Sequence, residues 1–325
     1  MPNSSVVVGA GIAGVACARA LAAAGTPVRV LDRGRRPGGR MATRTLSGRV
    51  ADTGASYLTA ADGSPFAAVV ADWVDRGLAR PWTDTFAVAG PDGIRETRSG
   101  PVRYAAPGGL RSLVADLAAG LDVTQEHDVA RVEPGPRVDG EDAPAVVLAL
   151  PDPQARRLLP PDLAGRLLGD EDARPWQPTL AVVLGFEERH WPADLHGAFV
   201  HDDPVVEWIA DDGDRRGDGA PVLVAHTTPG TAAAHLDDPG RAAPEVTAAV
   251  RRALGIDAVP AWTHVHRWTF AKPTAPREEP FGLVDGVGAC GDGWRAPSKV
   301  ESAWTSGHLL GTHLGAHLGT APAGR

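Results

Sequence analysis

Glycine, acidic and basic residues recur in this sequence at spacings suited to holding a phosphate ester. Near the N-terminus, Gly9-Ala10-Gly11-Ile12-Ala13-Gly14 sits where an apolar run, 5–8, gives way to an alanine-rich stretch, 12–24. In a strand-to-helix turn the first glycine permits the tight bend, the second lets a pyrophosphate approach the backbone, and the third lets helix and strand pack closely. The helix then aims its unpaired N–H groups and partial positive charge at the phosphates. Asp32 closes the next apolar run, 28–31, and stands 23 residues after Gly9, near the roughly 20 expected of an acid that holds a ribose hydroxyl. This set specifies a dinucleotide without separating a nicotinamide from a flavin cofactor.

Further segments narrow the choice. Gly38-Gly39-Arg40-Met41 follows Asp32 and Arg33 after a short basic loop, and Gly291-Asp292-Gly293 follows an apolar run, 287–290, ahead of a long helical stretch, 298–318. With Asp52-Thr53-Gly54-Ala55-Ser56-Tyr57, these segments resemble the flavin amine-oxidase superfamily. The resemblance implies FAD, which we expect to be held without a covalent link. Arg40, with Arg33, Gly39 and Met41 around it, would face the pyrophosphate. Asp292, after Gly291, would accept a hydrogen bond from the ribityl chain or ribose. Backbone N–H groups near Val300 and Glu301 would face the flavin's pyrimidine edge. Ala55, Ser56 and Tyr57 would pass under the isoalloxazine, and Val129, on a strand, would meet the adenine.

Within that superfamily the chain resembles the renalases and their bacterial relatives over nearly its whole length. The residues that carry this are Gly39-Arg40-Met41, 52–59, Pro107-Gly108-Gly109-Leu110, His226-Thr227-Thr228-Pro229, Arg267-Trp268 and Ala289-Cys290-Gly291-Asp292-Gly293. The resemblance implies oxidation of isomeric dihydronicotinamide dinucleotides, with O2 as acceptor and hydrogen peroxide as product. The chain departs from it after Arg131, where the usual hairpin is short, and at 211–217, where an Asn/Ser-Lys pattern is missing.

A dihydropyridine already favours giving up hydride, so an enzyme for it chiefly has to stack it on the flavin at near-attack distance. No obligatory base is needed, in keeping with a sequence that shows no evident acid–base dyad. A flavin amine oxidase acting on a small amine is the alternative enzyme. It would have to remove a proton from nitrogen, often between aromatic rings, and this chain offers Tyr57, Tyr104, Trp176, Trp208, Trp268 and Trp294. A flavin-binding protein without turnover is a third reading. Tyr57, Trp208, His226 and Trp268 are the candidates for the substrate face. Lys272 reads as a loop lysine. His313 and His317 are four residues apart on the last helix but lack a third ligand, so no metal is expected.

The elements that must position these residues follow from pattern and length. At 325 residues the chain fits two joined domains, and 43% apolar with 22% charged residues predicts folding throughout. A net charge of −8 argues against nucleic acid and anionic membranes as partners. No basic leader precedes the first apolar run and none reaches the ~18 residues of a membrane span, so a cytoplasmic protein is expected, with Cys17 and Cys290 as free buried thiols. Strands are expected at 5–8, 28–31, 123–132, 146–150, 180–186, 205–209, 222–226, 263–268 and 287–290, and helices at 12–24, 66–75, 110–119 and 298–318. The stretch 211–219 reads as a solvated hairpin turn. The fold class is α/β, a Rossmann-type FAD-binding domain (1–63, 104–160 and 279–325) with an inserted mixed-sheet substrate domain (64–103 and 161–278). Oligomeric state has no signature in the sequence.

Overall fold

A computed structural model describes residues 4–318. The chain begins with β1 (Ser5–Val8), α1 (Ile12–Ala23) and β2 (Val28–Leu31), then a hairpin of β3 (Thr43–Leu46) and β4 (Arg49–Asp52). Next come α2 (Pro65–Asp75), a long hairpin of β5 (Arg80–Gly90) and β6 (Gly93–Ala105), α3 (Leu110–Ala118) and β7 (Asp122–Thr124). A small meander, β8 (Val132–Glu133), β9 (Arg137–Val138) and β10 (Glu141–Asp142), leads to β11 (Val146–Leu148), α4 (Asp152–Arg156) and α5 (Pro161–Leu168). Then follow β12 (Trp176–Gly185), β13 (Gly197–Val200), β14 (Val206–Asp211), α6 (Asp212–Arg216), β15 (Val222–Thr227), α7 (Pro229–Ala234), α8 (Ala243–Leu254) and β16 (Trp262–Pro273). The chain returns through β17 (Gly282–Val284), β18 (Val287–Ala289) and α9 (Val300–Leu318).

The first sheet has the order β17-β18-β11-β1-β2-β7, parallel except for the β17–β18 edge. Alternation along its strands buries both faces. Val7, Val30 and Val147 pack under α1, α2, α3 and α9 with Phe66, Trp73, Leu113 and Leu310. Val6, Val8, Leu31, Val146 and Leu148 face the meander and α5, meeting Val132, Leu163 and Leu167. Strands so covered are short and largely apolar, which makes β1, β2 and β11 legible in the sequence. The two helices α2 and α5, which the sequence reading grouped with the substrate unit, therefore pack on the nucleotide-binding layer.

The second sheet has the order β16-β12-β15-β14-β13-β5-β6, antiparallel except where β13 meets β5. One face, with Leu180, Val182, Ile209, Leu223 and Ala225, is covered by α8 through Val246, Ala249 and Val250. The other face looks at the nucleotide-binding layer, and period-two alternation turns Trp208 and His226 to that side.

Three expectations are corrected. The run 123–132 is not one strand: β7 stops at Thr124, so Val129 lies in irregular chain. The segment 211–219 is no solvated turn, since it holds α6 with Asp211, Asp212, Arg215 and Arg216 buried. The short stretch after Arg131 does hold a hairpin-like element, the meander β8–β10. Cys17 and Cys290 are free and buried, the second just past the end of β18.

Candidate functional site

Between the two sheets lies a cleft of about 1670 Å³. A site for one small molecule usually takes ~300–1,000 Å³, so this one has room for a dinucleotide and a second molecule.

Its floor is built from the chain ends. Gly9, Gly11, Ile12 and Ala13 line it, and α1 starts there with Gly11 at its N-cap and no side chain capping it. The first N–H groups of that helix are thus left open toward the cleft. Gly14 lies behind the lining, where a Cβ would stand 1.9 Å from the Gly9 carbonyl oxygen, so close contact of helix and strand requires glycine. Asp32 accepts hydrogen bonds from the Ala10 and Gly34 backbone N–H groups, each at 2.6 Å, which fixes its carboxylate at the cleft wall. Arg33, Gly39, Arg40 and Met41 also line the cleft, and the Gly38 N–H donates to the Ala10 carbonyl at 2.8 Å, locking this loop to the first.

Arg40 ties the two ends of the chain together. Its guanidinium makes a paired, two-bond contact with the Asp292 carboxylate, donates to the Ala271 carbonyl at 2.9 Å and lies 5.1 Å from the Trp176 ring centre. Ser298 Oγ donates to the same carboxylate at 2.7 Å. The charge of Arg40 is therefore matched by Asp292 at the cleft wall. Gly291, Asp292 and Val300 line the cleft at the start of α9. The side chain of Glu301 accepts from the Ala61 N–H at 3.0 Å and pairs with Lys299 at 2.7 Å. Burial would raise its pKa, but these partners hold it below the ordinary value. Val129 lines the cleft from irregular chain beside Asp128.

Ala55, Ser56 and Tyr57 form the remaining floor, beneath a roof supplied by the second sheet. Strand register places Phe199, Trp208 and His226 in one row across β13, β14 and β15. Trp208 packs edge-on to Phe86 at 4.7 Å and to Tyr57 at 5.8 Å. Trp268, paired with Thr179 across β12, donates its indole N–H to the Thr53 carbonyl at 2.6 Å and so joins roof to floor. All four substrate-face candidates, Tyr57, Trp208, His226 and Trp268, meet at this one cleft.

The roof carries further residues on β14 and β16. Lys272 is not on a loop but on β16, and it lines the cleft with His266, Phe270 and Glu207. The recurrence of His266, Trp268, Phe270 and Lys272 at every second position was the available signal. Burial, with the fields of Arg215 for His226 and of Arg44 for His266, lowers both imidazole pKa values to about 4, so both rings are neutral near pH 7. Burial raises the Glu207 pKa against the opposing pull of Lys272. Burial also pushes the Cys290 thiol up to about 12, leaving it protonated at the cleft wall. His313 and His317 lie on α9 with ring centres 4.3 Å apart and their planes tilted by 37°, and no group of three or more His, Cys, Asp or Glu side chains that could hold a metal occurs among the described residues.

Residues 7–73 match the NAD(P)-binding Rossmann-like domain, and residues 86–308 match the flavin containing amine oxidoreductase family. The chain belongs to that flavin-dependent family. It is an FAD-dependent oxidoreductase. An uncapped helix end, a glycine-lined approach and a cleft of dinucleotide size all fit FAD. Among curated proteins, lysine-specific histone demethylase 1 homolog 1 of Arabidopsis thaliana is 46% identical over 69 residues, covering 20% of this chain and 8% of that protein. Protein FLOWERING LOCUS D of the same plant is 43% identical over 67 residues, again 8% of its length. The enzyme thus matches only a small part of these relatives. Two solved structures share its fold throughout. One, from an Exiguobacterium species and assigned as a protoporphyrinogen oxidase, has a TM-score of 0.73 at 15% identity over 97% of this chain and 99% of its own. The other, putrescine oxidase with bound putrescine, has a TM-score of 0.68 at 14% identity over 97% and 98%. No helix among the described residues is long and apolar enough to cross a membrane.

Proposed function

We propose that this enzyme oxidises an isomeric dihydronicotinamide dinucleotide in the manner of the renalases, with O2 as electron acceptor and H2O2 as product. The observation that carries the reading is charge. Eight arginines and two lysines line the cleft against four carboxylates, in a chain whose net charge is −8. A pyrophosphate of the cofactor accounts for only two of those positive charges. The excess attracts a second anionic molecule and repels an alkylammonium. Arg111 marks where that excess is least balanced: burial and the fields of Arg36 and Arg44 lower its pKa, and its Nε is buried without a hydrogen-bond partner among the described residues.

FAD would run from Asp32, at the ribose, over the α1 N-terminus to Asp292 and Val300, with its ring system above Ala55–Tyr57. Bound there without a covalent link, it supplies a two-electron acceptor. The chain's part is to stack the dihydropyridine under the Phe199–Trp208–His226 row and exclude water. A neutral imidazole with a pKa near 4 is a weak base at neutral pH, which suits a donor that loses hydride from carbon and needs no prior deprotonation. Glu207, a carboxylate facing the cleft beside Trp208, favours the alternative of a small amine as donor. Anaerobic mixing decides between them. Rapid bleaching of the flavin band by isomeric dihydronicotinamide dinucleotides, and none by primary amines or polyamines, is expected. Bleaching by amines alone would overturn the proposal.

A further inference from the structure

Helix α6 buries a charged cluster between the two sheets and directs it at the floor of the cleft. Asp212, Arg215, Arg216 and Asp52 are 0, 1, 5 and 1% exposed. Arg215 grips the Asp212 carboxylate with Nε at 3.2 Å and with Nη2, while Arg216 Nε holds its other oxygen at 3.0 Å. Burial alone would raise the Asp212 pKa, but the two guanidiniums outweigh it and hold the carboxyl below its ordinary value. Arg216 Nη2 lies 3.3 Å from Asp52 Oδ2, and Asp52 Oδ1 accepts from the Leu110 N–H at 3.1 Å and from Thr43 Oγ1 at 2.5 Å. Arg215 then reaches past this pair to the backbone: Nη1 donates to the Ser56 carbonyl at 2.7 Å and Nη2 to the Asp52 carbonyl at 3.3 Å.

Buried ion clusters are weak stabilisers, because desolvation cancels most of the attraction. What this one does supply is geometry, since it clamps both ends of the segment from Asp52 to Ser56 from the opposite sheet. A peptide unit is planar and trans, so the N–H of Tyr57 points away from the carbonyl of Ser56. That carbonyl is held by buried Arg215, so the N–H faces the other way, in a segment where both Ser56 and Tyr57 line the cleft.

We propose that Arg215, seated by Asp212, is a positioning residue for the flavin: it fixes the Ser56–Tyr57 peptide so that the Tyr57 N–H is presented to the cofactor as a donor. The inference needs the FAD site but not the identity of the hydride donor. The holoenzyme tests it through two variants, Arg215→Met, which keeps bulk and removes every donor, and Arg215→Lys, which restores one. The first should raise the FAD dissociation constant roughly tenfold or more, the worth of one charge-assisted hydrogen bond, and shift the visible flavin band. The second should recover the band position and most of the affinity even though both variants lower the melting temperature. A folded Arg215→Met protein with wild-type spectrum and affinity overturns the proposal. So does a folded Arg215→Lys protein that loses FAD affinity and band position as fully as a donor-less side chain would, and this reading stands if Arg215→Met fails to fold.

Discussion

Replacing Gly11 with alanine should separate cofactor binding from folding. Gly11 has φ −76° and ψ 177°, a conformation open to any residue, and a Cβ there would have no neighbour nearer than the Gly39 Cα at 3.9 Å. The folded chain therefore accepts the methyl group, while the unfolded chain loses freedom, so apoprotein stability should hold or rise by up to ~1 kcal/mol. The same methyl projects where a pyrophosphate must reach the N–H groups that open α1. Losing one charge-assisted hydrogen bond costs ~1.5–3 kcal/mol, so the dissociation constant for FAD should rise roughly 10- to 100-fold. Gly14→Ala should behave in the opposite way. Its Cβ would meet the Gly9 carbonyl oxygen at 1.9 Å and the Ala149 Cβ at 3.0 Å, contacts that no flexible side chain can relieve. Overpacking of this kind costs ~1–3 kcal/mol or more and should lower the urea midpoint of the apoprotein. Urea unfolding of both apoproteins, joined to fluorescence titration with FAD, gives the two readouts. A Gly11→Ala protein that binds FAD like wild type, or that unfolds as readily as Gly14→Ala, would refute the reasoning.

Asp32→Ala removes the acceptor of two backbone hydrogen bonds at the cleft wall and should release FAD during gel filtration, whereas a fully yellow variant would show that Asp32 does not hold the ribose. Arg44→Ser takes one exposed cation from the cleft and should raise KM for a dihydronicotinamide dinucleotide several-fold at low salt, an effect that shrinks as ionic strength rises; an unchanged KM counts against the anionic donor. His226 has its pKa lowered from 6.5 to about 4, so on acidification the unfolded chain takes up a proton that the folded chain refuses. The stability it confers is fully present above about 6.5 and is lost between there and about 4, amounting to ~2 kcal/mol by pH ~5. Urea curves at about pH 7.5 and about pH 5 should show a loss smaller by about that amount in His226→Gln than in wild type, since His266, also lowered to about 4, keeps its own share in both proteins.

What the sequence disclosed was local. The Gly9–Gly14 turn, Asp32 and Gly291–Asp292 are set by backbone geometry within a few residues, and the buried parallel strands announce themselves as apolar runs. What it concealed depends on partners far away in the chain. The five residues of α6, two acids and two arginines around a glycine, read as a solvated turn because nothing nearby shows that Asp52 and Ser56 lie within reach. The long hairpin β5–β6 was left unassigned because β6 is a largely exposed edge strand that carries polar residues. Lys272 looked like a loop residue for want of strand context after Trp268, although the alternation already in place at His266 and Trp268 continued through it. The Arg40–Asp292 pair has no local signal because its members stand 252 positions apart.

The most direct test of the account is an experimental structure of the protein with FAD bound. Density for the dinucleotide should follow the Gly9–Gly14 turn to Asp292, with the isoalloxazine lying between Ala55–Tyr57 and the Phe199–Trp208–His226 row. A flavin found outside this cleft, or with its ring system turned away from that row, would contradict it.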